Sequence, residues 1–280
     1  MARNSLTPGL LADYRAKGHA LVRGLFEPDE IDLLRRAAKE DKELDAHSFG
    51  RDDGTGRIVR LSLWNHPGDT IYGMFARSES IVRTAEQILE GEVYHYHSKM
   101  IMKDARIGGA WAWHQDYGYW YQNGVLEPLL CSAFIAVDRA TRENGCLQVI
   151  DGSHLLGRID HVLTGDQAGA DIERVGAILE RYPLTHVEME PGDVLFFHAN
   201  LLHRSDDNRS EHPRWSMICC YNAARNDPYK DSHHPRYTPL QVVPDSAIRE
   251  AGLRRFADSA ANVAWLEIAK DQSASSLKAE

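Results

Sequence analysis

The sequence predicts a mainly β fold, a sandwich or barrel of short strands with helices at its N-terminal end. From Val93 onward, short segments rich in β-branched and aromatic residues alternate with turn signals. Before Val93, apolar residues recur at helical spacing in two longer segments. The 280 residues are 43% hydrophobic and 26% charged, which is ordinary for a chain that buries a substantial core. We therefore expect a single domain spanning residues 1–280.

Two amphipathic helices are predicted in the first third of the chain. EPDEIDLLRRAAKEDKEL begins at Glu27 with acidic residues and a proline, and its apolar residues recur at helical intervals. SESIVRTAEQILEG has the same pattern from Ser78 and stops at Gly91. Between them, HSFGRDDGTGRIV is a predicted surface loop ahead of a short strand near RLSLW.

A series of strands follows Val93. Asn144-Gly145 predicts a hairpin between AFIAV and CLQVI, and Pro191-Gly192-Asp193 predicts another turn. The predicted extended segments are EVYHYHSKMIM, GAWAWHQDYGYW, LLCSAFIAV, CLQVID, HVEME, DVLFFHA and RWSMICCYN. Short strands joined by tight turns are typical of sandwiches and barrels.

Two irregular segments interrupt this pattern and are candidate lids. Residues 155–183 form an insertion in which GADIERVGAILERY predicts a helix, and residues 225–244 are rich in proline. The final stretch, DQSASSLKAE, is polar and expected to fray. The expected divisions are a helical part at about 1–92, a strand core at about 93–224, and a C-terminal lid and helix at 225–280.

Composition excludes several classes of partner. The chain has 32 Lys and Arg against 41 Asp and Glu, a net charge of −9, without a dense basic run for nucleic acid. The longest nearly apolar run, LLCSAFIAV, is too short to span a bilayer, and the first residues lack the apolar part of a secretory signal. We expect a cytoplasmic protein with no membrane partner and, among its four cysteines, no structural disulfide.

The stretch WAWHQDYGYW carries the first candidate site residues. In an extended segment, positions i and i+2 project to the same side, so His114 and Asp116 can converge on one metal ion. The alternative is a hydrogen-bonded pair on a sheet. A third ligand must come from elsewhere, and DVLFFHANLLHRSDDN offers His198 and His203. His97 shares the same spacing with His95, but no carboxylate accompanies that pair.

Arg214 gives the site a chemical meaning. It follows His203 by eleven positions, so a strand, a turn and a returning strand can bring an imidazole and a guanidinium together. Two histidines and one carboxylate leave three positions open on iron, enough for a bidentate 2-oxo acid and O₂. The far carboxylate of such an acid needs a fixed cation, and the planar fork of arginine suits it.

The ordered set HQD, NGCLQVIDGSH, His203 and RWS resembles the phytanoyl-CoA dioxygenase-like family of Fe(II)/2-oxoglutarate oxygenases. The resemblance extends from GHALVRGLFEPDEI to about Asn222, and HSKMIMKDARIGGAWAWHQDYGYWYQNG is most similar to the ectoine hydroxylase branch. It implies a double-stranded β-helix, a jelly-roll and cupin-like core with flanking helices. It implies iron ligands His114, Asp116 and His203, and 2-oxoglutarate bound by Arg214, Ser216, Ser132 and Lys99.

The substrate side of the site is less determined. The candidate substrate contacts are Trp120, His97, Asn222 and Arg225. After Trp120 the chain reads YQNGVLEPLLCSAF, which departs from the ectoine branch and argues against ectoine itself. Some relatives replace the carboxylate ligand by Ala or Gly and bind halide there, so Asp116 favours hydroxylation over halogenation.

The leading hypothesis is an Fe(II)- and 2-oxoglutarate-dependent dioxygenase. It would use O₂ to hydroxylate, or otherwise oxidise, an unactivated C–H bond of a small polar metabolite, with release of succinate and CO₂. Alternatives are an acyl-CoA or carrier-bound acyl hydroxylase of the same fold, a cupin-like enzyme independent of 2-oxoglutarate, and a metal-containing jelly-roll binding protein that oxidises nothing. The sequence does not determine the oligomeric state, and a homodimer stays open.

Overall fold

The computed structural model describes residues 6–164, 166–254 and 265–267. Up to residue 92, helices alternate with short strands. In chain order these elements are α1 (Pro8–Lys17), β1 (His19–Val22), α2 (Pro28–Glu40), α3 (Lys42–Ala46), β2 (Phe49–Asp52), β3 (Ile58–Trp64), α4 (Ile71–Arg77) and α5 (Glu79–Leu89).

From residue 93 the chain is mainly strands. The elements are β4 (Val93–Lys103), β5 (Trp111–His114), α6 (Asp116–Trp120), β6 (Leu130–Ala136), β7 (Leu147–Ile150), β8 (His161–Thr164), β9 (Gln167–Ala170), α7 (Ile172–Leu179), β10 (Leu184–Val187), β11 (Val194–His198), β12 (His203–Ser205), β13 (Arg214–Ala223) and α8 (Ala247–Leu253). Short 3₁₀ helices occupy Ser153–Leu156 and Ala224–Asn226. The segment DQSASSLKAE lies outside the described residues.

The first predicted helix is present but divides into α2 and α3. A capping box at Glu27 begins α2, with the Glu27 backbone N–H donating to Glu30 Oε2 at 3.0 Å. Asp41 has an extended backbone, with φ −79° and ψ 102°, and its carboxylate accepts from the N–H groups of Glu43 and Leu44. Asp41 therefore ends one helix and caps the next. The second predicted helix is α5, which ends at Leu89 with Glu90 as its C-cap residue, just before Gly91.

Two antiparallel sheets form the body of the described structure. The larger has seven strands in the order β1-β11-β6-β13-β4-β3-β2, and the smaller has four in the order β10-β7-β12-β5. Strands of both sheets contribute to one shared apolar cluster. Strands next to each other in space are often far apart in sequence, such as β13 and β4. This is the predicted jelly-roll arrangement, and the predicted fold class is confirmed.

The predicted hairpin at Asn144-Gly145 is wrong. The chain does turn there, with Gly145 at φ +77°, but β6 pairs with β11 and β13, whereas β7 pairs with β10 and β12. The turn carries the chain from one sheet to the other. In a jelly roll, successive strands often belong to opposite sheets, and a turn signal alone does not distinguish the two connections.

The core is layered. One apolar cluster packs α1, α2, α4, α5 and α8 on the outer face of the larger sheet. A second lies between the sheets, where Phe134 and Phe197 of the larger sheet meet Leu147 and Val149 of the smaller one. A third packs α7 on the outer face of the smaller sheet. Apolar side chains thus fill the space between the sheets, except where polar residues cluster.

The expectation of one extended segment through residues 111–120 is also corrected. The strand ends at His114, Gln115 is still extended with φ −114° and ψ 133°, and a helical turn begins at Asp116. The side chains of His114 and Asp116 therefore still project to the same side. Beyond Asp116 the alternation of a strand does not apply. An acidic residue in the first turn of a helix is favourable, because the exposed N–H groups carry partial positive charge.

Among the described residues, no helix is both long and apolar enough to cross a membrane. All four cysteines are buried and free.

Candidate metal centre and its pockets

Three side chains from separate segments converge between the sheets. His203 of β12 lies directly opposite His114 of β5 in the antiparallel register. Nε2 of His114 is 3.8 Å from Oδ1 of Asp116. One ligand atom from each of the three residues lies within 4.8 Å of the others, and all three residues are buried. This spacing suits one metal ion held from a single side.

Backbone carbonyls fix the two imidazoles. Nδ1 of His114 donates to the carbonyl of Ala112 at 2.8 Å, and Nδ1 of His203 donates to that of Leu201 at 2.9 Å. Each ring therefore carries its proton on Nδ1 and keeps the Nε2 lone pair for a metal. Burial lowers the pKa of both histidines, so both rings are neutral at pH 7, as metal ligands must be.

The two carboxylate oxygens of Asp116 differ in their hydrogen bonding. Ser132 donates its hydroxyl to Oδ2 at 3.1 Å, while Oδ1 is buried and accepts no hydrogen bond from the described residues. Lys99 Nζ lies 3.9 Å from Oδ1. A buried carboxylate oxygen rarely stays unbonded, and here it points to the two free Nε2 atoms. The residues thus fit a divalent metal with two nitrogen ligands and one oxygen ligand, the set found in non-haem Fe(II) oxygenases.

One pocket opens from the histidines toward two buried cations. Arg214 and Lys103 are paired positions of β13 and β4. Arg214 donates to Ser216 Oγ at 3.2 Å and to the carbonyl of Gly145 at 2.6 Å, and its Nε is buried without an acceptor among the residues that the structure describes. Lys103 Nζ donates to the carbonyl of Asp206. These hydrogen bonds go to uncharged oxygens, so the pair offers its positive charge to an anionic ligand.

Burial affects the two cations differently. It lowers the pKa of Arg214 to about 10, which leaves the guanidinium charged at neutral pH. Burial, and secondly the neighbouring Arg214, lowers the pKa of Lys103 well below its usual range. A bound carboxylate would favour the charged ammonium again. The rest of this pocket is largely apolar and suits a short hydrocarbon chain; its lining includes Ile101, Phe134, Leu147, Phe197 and Ile218.

A second pocket lies on the other side of Asp116. Lys99 and Trp111 line both pockets and stand between them. Arg51 contributes a cation to the second pocket and Asp166 an anion. Its remaining lining is Leu61, Leu63, His97, Tyr119, Trp120, Gln167, Ala168 and His234.

The structure brings most of the predicted site residues to these pockets. Trp120 and His97 line the second pocket, with ring centroids 5.6 Å apart. Ser216 contacts Arg214 as expected, whereas Ser132 contacts Asp116 and not the cationic pocket. The alternative ligand His198 is not in the cluster; its ring instead packs against Tyr14 and His154, with centroids 6.5 and 5.3 Å away.

Asn222 and Arg225 are not brought to either pocket. Asn222 is fully buried at the far end of β13, where its amide donates to the Tyr94 hydroxyl and the Asn226 carbonyl, each at 2.8 Å. Arg225 is exposed and donates to the carbonyl of Leu89 at 2.9 Å. Neither residue is among those that line the two pockets, and a substrate contact by either one stays a prediction from the sequence.

Sequence reasoning missed several lining residues. Lys103 follows Lys99 by four positions on one strand, so their shared face follows from the sequence, but the pairing of Lys103 with Arg214 does not. Tyr119 reaches the pocket because α6 is helical. Arg51 lies on β2 and Asp166 in the turn of the β8–β9 hairpin, and no local pattern connects either with the HQD motif. His234 lies on the segment that the sequence predicts only as a lid.

Fold and site together define a jelly-roll oxygenase with one non-haem iron. The family model of phytanoyl-CoA dioxygenase (PhyH) matches residues 14–216, and the chain belongs to this family. It is an Fe(II)/2-oxoglutarate-dependent dioxygenase that uses O₂.

Two relatives and one solved structure illustrate the likeness. L-Proline trans-4-hydroxylase from Streptomyces griseoviridis is 30% identical over 204 residues, covering 67% of this chain and 75% of the relative. Ectoine dioxygenase from Sphingopyxis alaskensis is 26% identical over 231 residues, covering 77% and 75%. The crystal structure of EctD from S. alaskensis with 2-oxoglutarate and 5-hydroxyectoine covers 86% of this chain and 89% of its own, at TM-score 0.73 and 22% identity. That last match shows the fold.

Proposed function

We propose that the enzyme hydroxylates an unactivated C–H bond of a small polar metabolite that carries both a carboxylate and an amine, such as an amino-acid derivative. His114, Asp116 and His203 hold the iron. When bound, iron with 2-oxoglutarate and O₂ supplies the oxidation of the C–H bond, with release of succinate and CO₂. One observation carries the substrate class: besides Asp116 and the shared Lys99, this pocket is lined by one arginine, Arg51, one further acid, Asp166, and several aromatic rings.

In this proposal, Arg214 and Lys103 hold the far carboxylate of the 2-oxoglutarate co-substrate. Paired arginine and lysine donors are suited to a carboxylate, and a buried site strengthens the attraction. The two methylene groups of the co-substrate would lie along the apolar wall of this pocket. Its chelating end would then point toward His114 and His203. Lys99 lies between the two pockets and would pair with the 2-oxoglutarate carboxylate nearest the iron.

The second pocket receives the substrate. Arg51 is the partner for a substrate carboxylate, and Asp166 is the partner for an amine. His97 Nδ1 and Trp111 Nε1 are buried polar atoms without a hydrogen-bond partner in the described structure, so each is available to the substrate. Burial, followed by the neighbouring His234, lowers the pKa of His97 well below its usual range. The ring is therefore neutral and adds no further positive charge.

Aromatic and imidazole rings restrict water and position the substrate. His234 stacks on His97 at a centroid distance of 4.7 Å, and Trp120 meets His97 edge to face. Tyr119 packs between His114 and His161, with centroids 5.7 Å from each ring. Excluding water protects a reactive centre from side reactions.

The names of the relatives support the size of the substrate. L-Proline and ectoine are both small, and the relatives named for them cover most of this chain. The run YQNGVLEPLLCSAF after Trp120 still argues against ectoine itself. For acyl-CoA the phosphates would need free cations, yet the surface arginines Arg57, Arg60 and Arg106 are ion-paired with Asp207, Asp104 and Glu211.

A substrate screen tests the proposal. Succinate formation from 2-oxoglutarate should rise when free amino acids and their derivatives are added, and product mass should increase by one oxygen. Acyl-CoA should give no rise, and His114→Ala should give none with any compound. Stimulation by acyl-CoA alone would overturn the substrate class, and so would the lack of any stimulation by the amino acids and their derivatives.

Arg51 offers a sharper test of the carboxylate contact. Arg51→Gln should raise the KM for the substrate by about tenfold or more, while kcat and the KM for 2-oxoglutarate change little. The matched control is Arg57→Gln, because Arg57 lies outside the pocket and pairs with Asp207 at 3.3 Å. Equal effects of the two substitutions would exclude Arg51 as a substrate contact. A homodimer and a cytoplasmic location stay predictions from the sequence.

A further inference from the structure

Gln115, the middle residue of the HQD motif, lies between two proposed metal ligands and points away from both pockets. Its side chain is fully buried. The amide nitrogen donates to the carbonyls of Gly157 and Asn200, each at 2.8 Å. The amide oxygen accepts from the N–H of Ile159 at 2.7 Å. Both N–H donors and one acceptor position of the amide are thus used to join separate segments of backbone.

One of those segments leads directly into His203. Asn200 lies three residues before His203, in the connection between β11 and β12. Next to it, the carbonyl of Ala199 accepts from the N–H of Tyr117 at 2.9 Å, and the carbonyl of Leu201 accepts from His203 Nδ1 at 2.9 Å. A displacement of Asn200 would move the carbonyl that orients the His203 ring.

Strand pairing holds β12 on one side, where all three of its residues pair with β7, but only weakly on the side of β5. β12 has three residues, and its pairing with β5 joins His203 to His114 and Ser205 to Trp111 with an irregular register between them. Beyond His114 the chain turns into α6, and the ladder ends. The side chain of Gln115 continues the connection past the end of the ladder, on the side where Asp116 must face His203.

The second segment braces the same turn. The carbonyl of Gly157 and the N–H of Ile159 immediately precede β8, whose His161 accepts the backbone N–H of Gln115 at 2.9 Å. His161 Nδ1 donates to the carbonyl of Ile159 at 2.8 Å, which leaves Nε2 as the acceptor. The backbone and side chain of Gln115 are therefore held by one loop on one side and by the approach to His203 on the other.

We propose that Gln115 is a positioning residue that sets the separation of His203 from His114 and Asp116, and so determines metal affinity. A buried amide could instead only satisfy the core, in which case its loss would lower stability without a specific effect on metal binding. The inference rests on the proposed ligand role of His114, Asp116 and His203. Residues that orient metal ligands typically change metal affinity by about 10- to 100-fold when substituted.

Cobalt(II) titration of the metal-free protein tests this without turnover. Gln115→Met keeps the length and volume of the side chain but removes all three hydrogen bonds. We expect its Kd for Co(II) to rise about 10- to 100-fold and the absorption spectrum of bound Co(II) to change. The matched control is Asn226→Leu. Asn226 is a buried amide that also donates twice, to the Glu127 carbonyl at 2.7 Å and Asn222 Oδ1 at 2.9 Å, and accepts once, from the Glu127 N–H at 3.2 Å.

The control should lose thermal stability but keep the wild-type Kd and spectrum. If Gln115→Met binds Co(II) with the wild-type Kd and spectrum, the positioning role is refuted. If Gln115→Met does not fold, Gln115→Glu replaces it under the same criterion, since Glu retains an acceptor for the Ile159 N–H but cannot make both donations. Wild-type and His114→Ala proteins with equal Kd would instead refute the proposed metal site itself.

Discussion

The free oxygen of Asp116 is the residue-scale feature with the clearest consequence. Without metal, a carboxylate is buried with Ser132 as its one hydrogen-bond partner among the described residues and with Lys99 3.9 Å away. Such a charge is costly to bury, and a metal ion offsets that cost. The residue is thus suited to binding metal more than to stabilising the empty fold.

Asp116→Asn should separate these two roles. The amide keeps the shape and can still contact Ser132, so we expect the unfolding free energy of the metal-free protein to stay within about 1 kcal/mol of wild type or to rise. The rise in melting temperature that Co(II) or Fe(II) gives the wild type should disappear. Thermal melts with and without metal measure both quantities. An undiminished metal-induced shift in Asp116→Asn would contradict the ligand assignment.

The fork of Arg214 yields a second prediction at this scale. Arg214→Lys keeps the charge but loses the planar set of N–H donors. That set includes Nε–H, which has no acceptor among the described residues. We expect the Kd for 2-oxoglutarate to rise about tenfold or more, with little change in the KM for the substrate. Calorimetric titration and initial rates of succinate formation measure the two. Arg35→Lys is the control, because Arg35 is a partly buried arginine that pairs with Asp138 at 3.0 Å. If the substrate KM rose as much as the Kd for 2-oxoglutarate, Arg214 would not be a specific anchor.

At the scale of elements, the β5–α6 junction positions the site. The strand delivers His114, one extended residue follows, and the helix begins with Asp116. Gly118 lies on the inner side of this helix against the β8–β9 hairpin. A Cβ atom at Gly118 would lie 2.1 to 2.4 Å from three atoms of the His161 ring. Only glycine allows α6 and His161 to approach so closely, and His161 in turn holds the N–H of Gln115.

Gly118→Ala should therefore destabilise the protein by about 1–3 kcal/mol, because the ring and the hairpin must move to admit the methyl group. Gly176→Ala is a matched control, since Gly176 also lies in a helix, α7, and a Cβ there meets nothing within 4 Å. Alanine is a better helix former than glycine, so the control should gain about 0.5–1 kcal/mol. Urea denaturation measures both. Equal gains in the two variants would show that α6 does not depend on this close approach.

An element can be predicted when the residues that determine it are close together in the sequence. Helical periodicity and a Gly stop are local, and they located α2 and α5. The HQD motif is local too. The predicted strand and the observed backbone have the same extended conformation up to Asp116, so both place His114 and Asp116 on the same side. The Asn144-Gly145 turn was identified, but its two strands pair with β10–β13 partners distant in sequence. Lys103 joins Arg214 only through the β4–β13 register, which no local pattern encodes.

At the scale of the whole molecule, the site exists only when the two sheets pack together. His114 and His203 belong to the smaller sheet, whereas Arg214 and Lys103 belong to the larger one. The packing that brings them together also buries several histidines elsewhere. His95, for example, is 5% exposed, with Nδ1 donating to the Asn65 carbonyl at 3.1 Å and Nε2 accepting from Ser98 Oγ at 2.7 Å. Burial lowers its pKa from 6.5 to about 3.

This burial predicts acid sensitivity of the metal-free protein. Between pH 6.5 and about 3 the unfolded chain protonates His95 while the folded protein does not, so unfolding takes up a proton and stability falls as the pH falls. Above pH 6.5 the residue is neutral in both states and contributes no slope. From pH 7 to pH 5 this single residue should remove about 2 kcal/mol of unfolding free energy. His95→Gln should therefore lose about 2 kcal/mol less than wild type over that interval in urea denaturation with a chelator present. His212→Gln, at an exposed histidine, should keep the wild-type loss. An unchanged loss in His95→Gln would mean that the folded protein protonates His95 as readily as the unfolded chain.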